Sequence, residues 1–216
     1  ASYNDIRAFV QSTAGPFAAI HCVCRQGKDL TGEPCRQTHE RRNCLMFGDT
    51  AAHLIAKGVA HELTRDEMLS LLDRADSEGL VLEPQNTRDP MFVCCCCGCC
   101  CGVLTTARKM PSPADFFNAA FTATADQAAC IVCGTCESRC HMDAIASADQ
   151  PARVDAVRCI GCGLCVTTCP TGAMTLEERT DRKPPPKDVR ALYSAMFQAR
   201  FGRMAAAAAL AGHLVG

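Results

Sequence analysis

Several features common in binding proteins and enzymes are missing from this sequence. It has no tryptophan, and aromatic residues make up only 5% of its 216 residues, which argues against a binding groove lined with aromatic rings. Its 22 basic and 23 acidic residues give a net charge of −1, too little positive charge to bind nucleic acid through its phosphates. No apolar run reaches the eighteen or more residues of a membrane-spanning helix. Glycine-rich nucleotide motifs and a Gly-x-Ser-x-Gly motif are also missing, which argues against flavin, nicotinamide and nucleotide sites.

Cysteine, in contrast, is abundant, with 19 residues. An odd number cannot pair completely within one chain, and the runs Cys94–Cys97 and Cys99–Cys101 are poorly suited to disulfides. The first seventeen residues show no basic region followed by an apolar run, so no secretory signal is expected. These features predict a reduced, cytoplasmic, metal-loaded protein. The start at Ala1 rather than Met favours a processed or trimmed piece of a longer chain.

The distribution of cysteines predicts three parts and an α+β fold. Residues 1–110 form a cysteine-rich domain of mixed α/β structure, 117–178 contain two similar cysteine quartets, and 187–216 form a helical tail. Proline-containing connectors, Met110–Pro113 and Lys183–Lys187, separate them.

Two elements of the first part can be placed from local patterns. Pro16–Val23 is predicted to be a short buried strand that delivers Cys22 and Cys24 at its end. Thr64 and Glu67 form a capping box, so a helix should begin there and end at Gly79.

The tail is predicted to be a helix that docks on the body or on a partner subunit. Its apolar face comprises Val189, Leu192, Tyr193, Met196 and Met204, and Ala205–Ala209 adds helix propensity. Membrane insertion is the less favoured alternative, because the apolar run from Met204 is short and contains His213.

The two quartets share the spacing C-x2-C-x2-C-x3-C. The first comprises Cys130, Cys133, Cys136 and Cys140, and the second begins 29 residues later with Cys159, Cys162, Cys165 and Cys169. Zinc sites more commonly use two C-x2-C pairs separated by a dozen or more residues. Three cysteines in successive x2 steps followed by an x3 step are typical of iron–sulfur loops.

Residues 121–178 resemble bacterial-type ferredoxins with two [4Fe-4S] clusters. The resemblance implies a crossed ligand set, in which Cys130, Cys133, Cys136 and Cys169 hold one cluster and Cys159, Cys162, Cys165 and Cys140 hold the other. It also implies a pair of βαβ units, with strands near 122–125, 145–148, 153–157 and 173–176. One departure is His141, which stands where the second motif has Pro170. That histidine either donates a hydrogen bond to a cluster sulfur or is simply solvated.

The remaining eleven cysteines fall into two sets. Cys22, Cys24, Cys35 and Cys44 could together hold a further [4Fe-4S] cluster, with zinc as the competing occupant. Seven more lie within Cys94–Cys101, and no chain can direct seven neighbouring side chains at one cluster. They either hold an additional cluster, for which Cys96, Cys97, Cys100 and Cys101 are the leading candidates, or a larger fused cluster shared with the Cys22–Cys44 group, or form a redox-sensing thiol patch, or sequester copper or zinc. The full set of that run is Cys94, Cys95, Cys96, Cys97, Cys99, Cys100 and Cys101.

A second resemblance involves these extra cysteines. The steps Cys96-Cys97-Gly98 and Cys100-Cys101-Gly102 are similar to the Cys-Cys-Gly motifs of heterodisulfide reductases, although more closely spaced. Together with Cys22-Val23-Cys24-Arg25, they make residues 17–178 similar to polyferredoxin-type proteins of anaerobes, in which a cysteine-rich domain precedes a two-cluster ferredoxin domain.

The leading functional hypothesis is an iron–sulfur electron-transfer protein, or a subunit of a redox complex or homo-oligomer, that exchanges electrons with partner proteins. One alternative is an oxidoreductase whose atypical cluster at Cys94–Cys101 reduces a small substrate. Its candidate acid–base groups are His21, His39, His53 and His61. The other alternative is an iron–sulfur redox sensor.

Overall fold

The computed structural model describes residues 1–202, and its N-terminal region is organised around one antiparallel sheet. The elements of this region are α1 (Tyr3–Ser12), β1 (Phe17–Ile20), α2 (Val23–Leu30), β2 (Cys44–Phe47), α3 (Gly48–Ala56), β3 (His61–Leu63), α4 (Arg65–Ser77), β4 (Val81–Pro84), β5 (Phe92–Cys96) and α5 (Gly102–Ala107). The strands lie in the order β3-β1-β2-β5-β4, and each neighbouring pair is antiparallel. Strands of distant sequence therefore meet at the centre of the sheet, where Cys44 pairs with Cys94.

Helices α1 and α4 pack together beside this sheet. In α4, Met68, Leu71, Leu72 and Ala75 recur at helical spacing and are buried. The predicted capping box is confirmed: Thr64 Oγ1 accepts from the Glu67 amide at 3.2 Å, and the Glu67 carboxylate accepts from the Thr64 amide at 2.7 Å. The strand predicted at Pro16–Val23 is also present, although it ends at Ile20.

The cysteines after that strand do not lie on an extended segment, and this prediction was wrong. Cys22 is the N-cap of α2, and Cys24 lies in the first turn of that helix. Cys44 is the first residue of β2. Arg25 in the first turn of this helix is buried, and its guanidinium donates to the Cys95 carbonyl at 2.9 Å.

The region that contains the two quartets has only short elements. They are α6 (Pro113–Phe116), β6 (Phe121–Ala125), α7 (Thr135–Ser138), β7 (Ile145–Ala146), β8 (Arg153–Val154), α8 (Leu164–Thr167) and β9 (Met174–Glu178). Strand β6 pairs with β9, and β7 pairs with β8, both antiparallel. All four predicted strands are present with slightly different ends. The mixture of helix and strand agrees with the predicted α+β class.

The two regions are packed against each other. One cluster of buried apolar residues includes Leu80 and Val81 of the first region and Ile145 and Leu164 of the second. Polar contacts add to it, since Thr167 Oγ1 donates to the Asp76 carboxylate at 2.7 Å. The predicted division into separate domains stays a prediction.

Helix α9 (Val189–Phe201) confirms that the tail is helical as far as the structure describes it. Asp188 caps it by accepting from the Ala191 amide at 2.8 Å. None of the residues of α9 is buried and Tyr193 is 63% exposed, so docking of this helix on the body or on a partner subunit stays a prediction. Met204, Ala205–Ala209 and His213 lie outside the described residues. Within 1–202, the helices are too short or too polar to cross a membrane.

Candidate functional site

The sulfur atoms are the chemically distinctive groups of this protein, and all 19 cysteines are free thiols. This agrees with the argument against a disulfide scaffold. The cysteines gather in four places, two in the region of the quartets and two in the N-terminal region.

The first place is a pocket lined by Cys130, Cys133, Cys136 and Cys169. Three of these belong to the first quartet, and Cys169 comes from the second. The loop can wrap around the pocket because Gly134, just before α7, has a φ of +72°, a conformation that residues with a Cβ rarely adopt.

The second place is a pocket lined by Cys159, Cys162, Cys165 and Cys140. Again three cysteines come from one quartet and the fourth from the other. Gly161 is required here, because a Cβ at this position would lie 2.3 Å from the Phe121 carbonyl oxygen. The structure thus gathers the eight cysteines in the crossed grouping that the resemblance implies, while their role as ligands stays a prediction.

Backbone amides point at sulfur atoms in both pockets. The amide of Ala152 lies 3.5 Å from Cys130 Sγ, that of Ala144 lies 3.3 Å from Cys140 Sγ, and that of Ala123 lies 3.3 Å from Cys159 Sγ. An N–H group directed at sulfur can stabilise the negative charge of a metal thiolate.

The two pockets differ in exposure. In the first, Cys133 is exposed, and a hydrogen bond with the Thr135 hydroxyl lowers the pKa of its thiol. In the second, burial raises the pKa of Cys162 to about 11, and Cys165 is only 6% exposed. The cysteines of the first pocket are therefore more exposed than those of the second, which lies toward the N-terminal region with Val81 in its wall.

His141 is half-buried in the wall of the second pocket rather than simply solvated, and a hydrogen bond from it to a cluster sulfur stays a prediction. Its Nε2 lies 2.7 Å from the Gly79 carbonyl oxygen, across the boundary between the two regions. Its ring also packs against Gly98, where an added Cβ would meet Nδ1 at 2.6 Å. The residue that replaces proline therefore helps to join the two regions.

The third place, which we call the compact thiol group, comprises Cys35, Cys97, Cys99 and Cys100. Their Sγ atoms all lie within 4.8 Å of one another. Cys35 Sγ is 3.6 Å from Cys97 Sγ and 3.7 Å from Cys99 Sγ, and Cys99 Sγ is 3.6 Å from Cys100 Sγ. Burial raises the pKa of the Cys35 thiol, but amides of Thr38 and Gln37 and the Arg25 guanidinium outweigh it and bring that pKa down to about 6.

The fourth place, the extended thiol group, runs along the central strands. Cys22 lies beside Cys44, whose Sγ lies 4.0 Å from Cys94 Sγ. Cys96 and Cys101 have their Sγ atoms within 4.8 Å of each other, with Cys94 beside Cys96 and Cys24 beside Cys101. The neighbouring Cys96 thiol lowers the pKa of Cys101 to about 6.

The predicted groupings of the extra cysteines are therefore corrected. The expected quartet of Cys22, Cys24, Cys35 and Cys44 is divided, since Cys35 lies in the compact group and the others in the extended group. The candidate set of Cys96, Cys97, Cys100 and Cys101 is divided in the same way. Cys95 belongs to neither group: it is 3% exposed and lies in the apolar core.

Two residues beside the thiols were missed in the sequence. Glu83 places a carboxylate oxygen within 4.8 Å of the sulfurs of Cys96 and Cys101, and burial raises its pKa to about 7. Arg25 is 0% exposed and contacts the Cys35 thiol. The sequence offered one signal for Glu83, an acidic residue directly after the apolar run Leu80–Leu82. Its position beside cysteines could not be predicted, because it depends on the pairing of strands.

The histidines proposed as acid–base groups do not lie in the thiol groups. His21, His39, His53 and His61 are all exposed at the surface.

Comparison with known proteins identifies a similarity in one part of the chain. Residues 129–173 and 158–196 match the family model of the 4Fe-4S dicluster domain. No curated protein and no solved structure matches the chain. The match covers the two pockets described above, and it indicates 4Fe-4S cofactors and an iron–sulfur electron-transfer protein. The chain therefore carries a ferredoxin-like iron–sulfur domain.

Proposed function

We propose that this protein is an electron carrier, or the electron-transfer subunit of a redox complex, with two [4Fe-4S] clusters in its ferredoxin-like domain. Cys130, Cys133, Cys136 and Cys169 hold the first cluster, and Cys159, Cys162, Cys165 and Cys140 hold the second. The observation that carries the proposal is the crossed grouping of these eight cysteines in two pockets.

The pockets fit such clusters in their donors and their surroundings. Each offers four thiols, the ligands that iron–sulfur clusters use, together with amides directed at sulfur. When bound, a [4Fe-4S] cluster takes up or gives up one electron with little rearrangement. The residues of the chain hold it, shield it from water and stabilise the negative charge on the thiolates.

The difference in exposure between the cysteines of the two pockets supports contact of a redox partner with the first pocket. Cys133 is exposed, and its neighbour Ile131 is 62% exposed, so a redox partner can approach the first pocket closely. Cys159 and Cys165 of the second pocket are buried, and this pocket faces the N-terminal region. We therefore propose that electrons are exchanged with an external partner at the Ile131–Cys133 edge.

The extended thiol group supports an additional cofactor. Six cysteines lie along it, more than the four thiolates that a single metal ion commonly binds. We propose that it holds a further iron–sulfur cluster. The reductase alternative gains no support from its four candidate acid–base histidines, because all of them are exposed at the surface.

The crossed assignment can be tested with two double variants of the full chain, purified anaerobically. Cys136→Ser with Cys169→Ser removes two ligands from one pocket, so about four iron atoms should be lost. Cys136→Ser with Cys140→Ser removes one ligand from each pocket, so both clusters are impaired and up to about eight iron atoms should be lost. Iron analysis and electron paramagnetic resonance of the reduced proteins measure the outcome.

Cys95→Ala serves as the control, because Cys95 lies in the apolar core and should keep all iron of the unaltered chain. The reverse pattern, in which Cys136→Ser with Cys140→Ser spares one cluster and Cys136→Ser with Cys169→Ser does not, would overturn the assignment.

A further inference from the structure

We propose that the compact thiol group, Cys35, Cys97, Cys99 and Cys100, binds a single zinc ion as a tetrahedral tetrathiolate. This site is separate from the ferredoxin-like domain and does not depend on its clusters. It also differs from the further cluster proposed for the extended thiol group.

The distances between sulfur atoms indicate one ion. Four sulfurs at about 2.3 Å from a central metal define a tetrahedron whose edges are about 3.8 Å. Three of the six Sγ–Sγ distances, 3.6, 3.7 and 3.6 Å, are close to that edge, and all six are within 4.8 Å. Thiolates on the four corners of a cube stand farther apart, because each sulfur lies outside its own iron atom.

The ferredoxin-like domain provides an internal comparison. Among the described residues, the groups of three or more ligand atoms that lie within 4.8 Å of one another belong to the N-terminal region. The cysteines of the two ferredoxin pockets do not form such a group. The described part of the chain therefore holds thiols at two different separations, and the compact group is a four-thiol set whose sulfurs lie close enough for a mononuclear site.

The charge around the compact group also favours a bound metal thiolate. Four thiolates and one Zn²⁺ carry a net charge of −2. Arg25 is 0% exposed and contacts Cys35, and its Nε has no hydrogen-bond partner. A buried guanidinium without a carboxylate partner is costly unless negative charge lies beside it, and thiolates at Cys35 and Cys97 supply that charge.

The position of the ligands suggests what the ion does. Cys97, Cys99 and Cys100 form the turn between β5 and α5, whereas Cys35 comes from the long segment between α2 and β2. A closed set of four protein ligands is the arrangement of structural zinc sites. The ion thus fastens this segment to the turn, and the turn packs against His141 of the ferredoxin-like domain through Gly98.

Elemental analysis of the anaerobically purified full chain tests the proposal. The unaltered chain should contain one zinc, and Cys99→Ala should lose it without losing iron. Cys99 is only partly buried, so this change disturbs the core little. Cys24→Ala, at a partly buried cysteine of the extended group, is the matched control and should keep the zinc.

X-ray absorption at the zinc edge gives a second readout. It should show four sulfur neighbours at about 2.3 Å and no metal neighbour. Should Cys99→Ala fail to fold, Cys99→His retains a ligand and should show three sulfurs and one nitrogen. Loss of about four iron atoms in Cys99→Ala would identify a cluster instead, and zinc that stays unchanged in Cys99→Ala would place the ion elsewhere. Either result would overturn the proposal.

Discussion

The two cysteine-rich regions of this protein present the same side chain in different ways. In the ferredoxin-like domain, loops with cysteines at every third position spread the thiols around two pockets. In the N-terminal region, cysteines that are adjacent in sequence meet partners from distant segments, and three pairs of sulfurs in the compact group lie 3.6–3.7 Å apart. Spacing along the chain decides the first kind of site, whereas contacts between distant segments decide the second.

The regions also differ in what stabilises them. The N-terminal region has a five-stranded sheet covered by α1 and α4, with Leu45, Leu72 and Leu82 at 0% exposure. The ferredoxin-like domain has two two-stranded sheets, one with strands of only two residues. Such small sheets are marginal by themselves, so its folding depends on bound metal and on the neighbouring region.

Removal of metal should therefore produce the largest difference in stability between the two regions. After treatment with a chelator and an oxidant under anaerobic conditions, amides of β6 and β9 should lose their protection from hydrogen exchange. Amides of β1 and β2 should retain most of theirs, because the apolar core beneath them remains. Hydrogen exchange measured by mass spectrometry reports both. Equal loss in both regions would show that the N-terminal region depends on metal to the same degree.

A smaller effect, limited to the second pocket, is expected from Gly161→Ala. The positive φ of +64° costs about 1–2 kcal/mol for a residue with a Cβ. The contact of that Cβ with the Phe121 carbonyl oxygen, at 2.3 Å, adds about 1–3 kcal/mol. The loop of the second pocket should then open, and the variant should lose about four iron atoms.

Gly172→Ala is the matched control for this change. Gly172 has a φ of +68°, but no atom lies within 4 Å of the added Cβ. Gly172→Ala should be destabilised only by its backbone conformation, and it should keep its iron. Iron contents that fall equally in the two variants would contradict the role given to the close approach at Gly161.

The smallest effect concerns the boundary between the regions. The Asp76 carboxylate accepts from Thr167 and lies 3.6 Å from the Arg139 guanidinium, with its side chain only 16% exposed. Asp76→Ala should lower the free energy of unfolding by about 1–2 kcal/mol, as measured by urea denaturation. Asp73→Ala is the control, because that side chain is 69% exposed and its ion pair with Arg7 should contribute little. Similar values for the two variants would argue against a stabilising contact across the boundary.

Local sequence patterns were sufficient to predict part of this structure. The helix that begins after Thr64 follows from its capping box, and the ferredoxin-like strands follow from the resemblance carried by the two motifs. These features depend on residues close together in sequence. The match to the 4Fe-4S dicluster domain family supports the same part of the chain.

The groupings in the N-terminal region could not be predicted in this way. Cys35 joins cysteines more than sixty residues away, and Cys44 meets Cys94 through strand pairing. Glu83 faces the thiols because β4 pairs with β5, with Glu83 opposite Cys94. Such contacts depend on sheet order and register, which the spacing of cysteines does not encode.

The most direct test of this account is diffraction from anaerobically grown crystals at the iron absorption edge. The account predicts two four-iron centres in the ferredoxin-like domain. Cys169 should bind the centre of the first quartet, and Cys140 should bind the centre of the second. Iron centres that each bind only the four cysteines of one quartet, or an absence of iron from both pockets, would contradict it.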